Sequence, residues 1–148
     1  MAILAPMGFW RVVLMFLGIA LCCTHCEGPA RADQTDRELS RLCGPLRALA
    51  VANLVRLEAR HHLLHPVLLA RVVASESTCR IDADSGRGDI GLGQVRLGGS
   101  AARGHERLDL LHPAINLHLA AAHLDRLLLL CGSWHGALRV YRGHRYCF

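Results

Sequence analysis

One acidic residue at the end of an apolar segment is best placed to do chemistry in this chain. Glu76 follows the run LLARVVAS and precedes a polar loop that ends on the tight turn Gly91-Leu92-Gly93-Gln94. An apolar environment disfavours the charged form of a carboxyl group and raises its pKa. A carboxyl group that keeps its proton near neutral pH can act as a general acid. The segment therefore predicts an acid catalyst at Glu76, facing a glycine-rich turn.

Three histidines on one segment raise a second possibility, a metal site. His61, His62 and His65 are close in sequence, but Pro66 favours an extended backbone at His65 and separates it from the preceding helix. We expect no nearby carboxylate or cysteine to serve as a further ligand, so polar histidines at the negative end of a helix are the preferred interpretation. The sequence therefore predicts no metal site and no cofactor.

The spacing around Glu76 resembles a known pattern. The lytic transglycosylases of the soluble (SLT) type, relatives of goose-type lysozyme, carry Glu-Ser, then Ala-x-Ser, then Gly-x-x-Gly-Leu-x-Gln. The chain matches this pattern without a gap at eight positions: Glu76, Ser77, Ala83, Ser85, Gly88, Gly91, Leu92 and Gln94. An ungapped register of this length is far more specific than an isolated Glu-Ser pair.

Two further blocks of the family pattern are met only in part, and the resemblance covers residues 66–144. The matching positions are Pro113, Asn116, Leu124, Ala137 and Tyr141. The departures are Gly93 for Met, Ala120 for Gly, His123 for Tyr, Arg142 for Asn and His144 for Gly. The resemblance implies an altered substrate groove around an intact acid.

The resemblance implies an all-α, lysozyme-like domain that cleaves peptidoglycan between N-acetylmuramic acid and N-acetylglucosamine. Glu76 would act first as acid and then as base, and the product would carry a 1,6-anhydro end. Ser77 would orient the substrate N-acetyl group, and Tyr141 would donate a hydrogen bond to the Glu76 carboxyl. Substrate-binding roles are implied for Ser77, Gly91, Leu92, Gln94, Asn116 and Tyr141.

Two other functions remain open at this point. Most glycosidases use two carboxylates, so a hydrolytic lysozyme could use Asp82, Asp84 or Asp89 to position a water, unless these acids only belong to a solvated loop. A wall-binding protein with a degenerate site is the other alternative, suggested by Arg142 and His144.

The first 32 residues have the pattern of a secretory signal. Arg11 precedes an apolar run over 12–21, and Ala30-Arg31-Ala32 offers a cleavage site. We predict cleavage after Ala32, a mature domain of residues 33–148 and a periplasmic location. A lipoprotein anchored through one of the early cysteines, at positions 22, 23 and 26, is the less favoured alternative.

Four cysteines remain in the mature chain: Cys43, Cys79, Cys131 and Cys147. An even number after an export signal predicts two disulfides, with three connectivities open. Four unpaired, buried thiols are the alternative. Joining the chain ends favours Cys43 with Cys147, which leaves Cys79 with Cys131.

The charge pattern indicates the kind of partner. The net charge of +5 comes entirely from arginine, and the arginines are scattered without a run or interleaved aromatic residues. A nucleic-acid surface is therefore not predicted, whereas an anionic wall polymer such as peptidoglycan fits. A small, monomeric catalytic domain resembles transglycosylases that open the wall for secretion, conjugation or pilus machines, so such an apparatus is a candidate partner.

Helical periodicity and helix boundary signals place the elements that must hold these residues. A Thr35-x-x-Glu38 capping box predicts the first helix start. No segment alternates with period two for long, so few or no strands are expected. The predicted helices are 33–42, 46–62, 66–76, a short one beginning at residue 100, 112–130 and 134–141.

Overall fold

The computed structural model describes residues 33–148. The predicted signal segment, its cleavage site and the three early cysteines lie outside these residues. The described chain is mostly helical, as expected, with one two-stranded antiparallel sheet. Its elements are α1 (Gln34–Cys43), α2 (Pro45–His61), α3 (Pro66–Ser77), β1 (Asp89–Ile90), β2 (Val95–Arg96), α4 (Arg107–Leu111), α5 (Pro113–Cys131) and α6 (Trp134–Tyr141).

Proline and glycine set most of the helix boundaries. Pro45, Pro66 and Pro113 each occupy the first turn of a long helix, where the missing N–H would have no intrahelical partner and the fixed φ suits the helix. Gly132 ends α5 with a φ of 64°, in the left-handed region that favours glycine. The sequence-based boundaries of these helices are accordingly close to the observed ones.

The core forms around α5, which packs against α2, α4, α6 and β2. Leu117, Ala121 and Leu124 on this helix are fully buried. By length and composition α5 could also cross a membrane, a property that core helices share. Its central position confirms the prediction that it belongs to the core.

Two local predictions are wrong. No helix begins at Ser100: residues 98–104 form turns, and α4 starts at Arg107 behind a capping box between Glu106 and Asp109. At α1 the N-cap is Asp33, whose carboxylate accepts from the Thr35 N–H. Glu38 is therefore not a capping residue.

The two disulfides confirm the count but not the predicted pairing. Cys43 is bonded to Cys79, and Cys131 to Cys147. The first bond follows from the packing of α1 against α3, which brings the ends of these helices together. The second holds the C-terminal segment to the end of α5, where a Cβ on Gly136 would lie within 3.0 Å of both cysteine Cβ atoms.

Removing the disulfides should destabilise the domain unequally. The bonds span 36 and 16 residues, and the loss of loop-closure entropy in the unfolded chain predicts about 4 and about 3 kcal/mol respectively. Urea unfolding of the double variants Cys43→Ser/Cys79→Ser and Cys131→Ser/Cys147→Ser measures both values. Equal unfolding midpoints for the wild type and the first variant would contradict the prediction.

Candidate active site

Glu76 lies on the last turn of α3, where two open cavities meet. The first cavity, of about 390 Å³, is bordered by the sheet, α5 and α6, and the second by the loop after α3. Glu76 and Gln94 border both. A polymer lying across both cavities would therefore pass the Glu76 carboxyl group in mid-chain rather than at an end.

The environment of Glu76 favours its protonated form. Burial raises the pKa of Glu76, and the charge of Asp89 adds a smaller effect in the same direction. Arg142 and the Ser75 hydroxyl oppose this by lowering the pKa. The net shift of the pKa is upward, as expected for a general acid.

Arg142 brings a positive charge to the acid. Its Nε atom lies 3.8 Å from Oε1 of Glu76, and its Nη2 donates to the Ser75 hydroxyl at 3.3 Å. The family pattern has Asn at this position, so the substitution places a cation where an uncharged side chain is usual. Arg142 departs from the family pattern, but no local sequence pattern predicts its ion pair with Glu76.

Tyr141 borders the first cavity but does not hold Glu76 by a hydrogen bond. Its hydroxyl donates instead to the Gly93 carbonyl oxygen at 2.7 Å, so the predicted bond to the carboxyl group is wrong. Burial raises the pKa of Tyr141, and the charge of Glu76 raises it further. The neutral phenol therefore connects α6 to the turn opposite the acid.

Ser77 borders the second cavity beside Glu76. The residue is 5% exposed, and its hydroxyl donates to the Val73 carbonyl oxygen at 3.0 Å, one turn back on α3. In this conformation the hydroxyl hydrogen is used within the helix. The oxygen still has lone pairs with which it could accept a hydrogen bond from a substrate N–H.

Asn116 and Leu92 support the site from beneath, since both are 0% exposed. Neither side chain reaches the two cavities in this structure, so their substrate-binding roles stay predictions. The Asn116 amide donates to the carbonyl oxygens of Ile90 and Leu110 at 2.7 and 2.8 Å, and its oxygen accepts from the Gly93 N–H at 2.8 Å. These bonds fix the turn between β1 and β2 onto α5.

The turn requires glycine at position 91 and presents Gln94. Gly91 is buried with a φ of 75°, and a Cβ there would lie 2.4 Å from Nδ2 of Asn116. Gly91 can therefore contact substrate only through its backbone, and its substrate-binding role stays a prediction. Gln94 donates to the Gly91 carbonyl oxygen at 3.0 Å and borders both cavities, so it is the residue of this turn that can reach substrate.

Two departures from the family pattern compensate for each other in space. A Cβ on Gly93 would lie 2.3 Å from the Cβ of Ala120, so these positions cannot both carry side chains on this backbone. The family usually has Met at the first position and Gly at the second. This chain has the small residue on the turn and the larger one on α5.

The loop acids are engaged in ion pairs or lie outside the two cavities. Asp84 pairs with Arg107, and Asp89 accepts from Nη2 of Arg96 at 2.9 Å. Asp82 is exposed and borders neither cavity. Asp89 is the loop acid that shares the first cavity with Glu76, and its pairing with arginine makes it a poor base for a water.

The model of the transglycosylase SLT domain family matches residues 53–144 of the chain. The match covers more than half of the sequence and begins 13 residues before the predicted boundary at residue 66, so it includes the second half of α2. It ends at the predicted residue 144. Neither a curated protein nor a solved structure matches the chain significantly.

Proposed function

Because this chain belongs to the transglycosylase SLT domain family, with its all-α, lysozyme-like fold, we propose that it cleaves peptidoglycan with Glu76 as a single catalytic carboxylate. The observation that carries the proposal is the placement of Glu76. It is partly buried, its pKa is raised, and it lies where two open cavities meet. That arrangement suits cleavage within a glycan strand.

The proposed reaction follows from one carboxyl group acting twice. Glu76 gives its proton to the oxygen that joins N-acetylmuramic acid to N-acetylglucosamine, and that bond breaks. The carbonyl oxygen of the substrate's N-acetyl group stabilises the positive charge that develops at C1. The Glu76 carboxylate then takes the proton of the muramic C6 hydroxyl, whose oxygen closes onto C1. The result is a 1,6-anhydro end, no water is consumed, and Glu76 regains its proton.

Three neighbours are proposed to bind the glycan near the acid. Ser77 would accept from the N-acetyl N–H through its free lone pair, and Gln94 would contact the sugars on both sides of the scissile bond. Tyr141, fixed by its bond to Gly93, would form one wall of the first cavity rather than move protons.

Product analysis tests the proposal. Purified peptidoglycan is digested, and the released fragments are separated and identified by mass spectrometry before and after borohydride reduction. Anhydro ends, which do not react with borohydride, are expected. Reducing ends would establish the hydrolytic alternative with Asp89 as the first candidate for the second carboxylate. Intact glycan with folded protein would overturn the proposed cleavage, and glycan that co-sediments with that protein would establish a wall-binding role.

Replacing Arg142 should change the pH dependence of the reaction. The positive charge of Arg142 lowers the pKa of Glu76, so Arg142→Asn should raise that pKa further. Because the reaction begins with protonated Glu76, the alkaline limb of the kcat/KM profile should move to higher pH. Arg145→Asn, on the same segment but outside both cavities, is the matched control. A limb that stays in place, or moves to lower pH, would contradict the role assigned to Arg142.

The cellular setting is part of the proposal. Two disulfides are typical of proteins that reach an oxidising compartment, and the substrate lies outside the cytoplasm. We therefore propose an exported, periplasmic monomer, cleaved after Ala32, that acts on peptidoglycan glycan strands. A secretion, conjugation or pilus apparatus remains its candidate partner.

A further inference from the structure

Four potential metal ligands meet away from the active site. Glu58, His61 and His62 lie at the end of α2, and His118 lies on α5. One ligand atom from each falls within 4.8 Å of all the others. None of these residues borders the two cavities around Glu76. We refer to these four residues as the histidine cluster.

Three of the four ligand atoms already have the spacing of a coordination site. Nδ1 of His118 lies 3.0 Å from Oε2 of Glu58 and 3.3 Å from Nε2 of His62. The third side of this triangle, from Nε2 of His62 to Oε2 of Glu58, is 3.8 Å. Tetrahedral zinc with bonds of 2.0–2.2 Å separates its ligand atoms by about 3.3 Å, and a point about 2.0 Å from all three atoms exists within this triangle.

Hydrogen bonds alone do not satisfy all three of these ligand atoms. Nδ1 of His118 can hold one hydrogen, which would have to be shared between Glu58 and His62. With Nε2 of His62 unprotonated, its lone pair points toward the Glu58 carboxylate; with Nε2 protonated, this nitrogen lies 3.8 Å from Oε2 of Glu58, beyond hydrogen-bond distance. A cation at the centre instead accepts a lone pair from each of the three atoms.

The charge of the cluster also favours a dication. Glu58 is 6% exposed, and a buried carboxylate is costly unless it is paired or bound to a metal. Its neighbours are imidazoles, which are neutral when they act as metal ligands. Asp125 on α5 contributes a second negative charge near His62.

We propose that Glu58, His62 and His118 bind a divalent transition metal of the zinc class, with His61 or a water as the fourth ligand. His61 is exposed at the end of α2 and its ring centroid lies 5.3 Å from that of His118, so a side-chain rotation completes the set. The ion would link α2 to α5, two helices that pack against each other in the core. Its role is structural, and it is independent of the reaction proposed at Glu76.

The proposed site differs from the sequence-based prediction of no metal site. His65 is excluded, as predicted, because it caps α3 in an extended conformation. Glu58, however, lies one helical turn before His62, so that both side chains are on the same face of α2. His118 is 56 residues further along than His62, and only the packing of α2 on α5 brings it to the site.

Metal titration of the full mature chain tests the proposal. The protein is freed of metal with a chelator and titrated with ZnCl₂ by calorimetry, and with CoCl₂ while the visible absorption of tetrahedral Co²⁺ is followed. One ion per chain is expected. His62→Ala and His118→Ala should each weaken zinc binding at least about tenfold. His65→Ala, which removes an exposed histidine of the same segment, should bind like the wild type.

Thermal unfolding gives a second readout that does not depend on activity. Zinc at about 100 times its Kd should raise the Tm of the wild type by roughly 10 °C, and should not raise that of His118→Ala. If His118→Ala fails to fold, Glu58→Gln removes the anionic ligand and keeps the shape of the side chain. Zinc binding that is absent in the wild type, or unchanged in Glu58→Gln and His62→Ala, would overturn the proposal.

Discussion

Replacing Glu76 by glutamine should abolish cleavage of purified peptidoglycan and leave the fold intact. The amide has the shape of the carboxyl group but cannot donate a proton to the leaving oxygen or later remove one from the C6 hydroxyl. Loss of general acid catalysis alone typically costs about 10²–10⁴ in rate, and here the same group is also the base. We therefore expect a loss of at least about 10³, measured as release of soluble fragments.

The stability of this variant provides an internal check. Burial raises the pKa of Glu76 in the folded protein above its value in the unfolded chain. Ionisation of Glu76 therefore costs stability as the pH rises from the unfolded pKa through the folded pKa. Glutamine removes that cost, so Glu76→Gln should be at least as stable as the wild type at pH 7 in urea unfolding.

Glu106→Gln is the matched control. It makes the same chemical change at an exposed residue that borders neither cavity, and it should retain full activity. Activity of Glu76→Gln within tenfold of the wild type would remove Glu76 from its proposed role. A Glu76→Gln protein that binds but does not cut glycan would support it.

The parts of the fold that could be predicted are those encoded locally. Proline at three helix starts and glycine after α5 act through their own backbone preferences, so the adjacent sequence was sufficient to place these boundaries. The disulfides depend instead on how α1 lies against α3, which no local pattern specifies. The helix predicted at Ser100 is absent for a related reason: the small residues there allow a helix, but glycine at 98, 99 and 104 favours turns.

The candidate active site likewise has some features that the local sequence predicts and others that depend on tertiary packing. Glu76 and the Gly91–Gln94 turn are close in sequence, and one motif identified both. The surroundings of Glu76 were not predictable, because the contact of Arg142 with it and the bond of Tyr141 to Gly93 depend on the docking of α6. Asn116 was identified as a family position, but only the structure reveals that its whole side chain is used by buried backbone groups.

The role of Asn116 leads to the second large effect. Asn116→Asp should destabilise the domain by at least about 3 kcal/mol and reduce cleavage. An ionised carboxylate cannot donate to the carbonyl oxygens of Ile90 and Leu110, and each buried acceptor left without its donor costs about 1–3 kcal/mol. The carboxylate would also face those two oxygens as a like charge. The turn that carries Gln94 would then lose its attachment to α5.

The pH dependence distinguishes this mechanism from a simple loss of packing. Burial among carbonyl oxygens must raise the pKa of an aspartate at position 116 above its unfolded value of about 3.9. The destabilisation should therefore increase as the pH rises above about 4, because the unfolded chain loses its proton first. Asn53→Asp makes the same substitution at an exposed position beside Arg56, and it should change stability by less than about 0.5 kcal/mol. Equal urea midpoints for the two variants at pH 7, or a destabilisation by Asn116→Asp that does not vary between pH 4 and pH 7, would show that the Asn116 amide does not hold the turn in place.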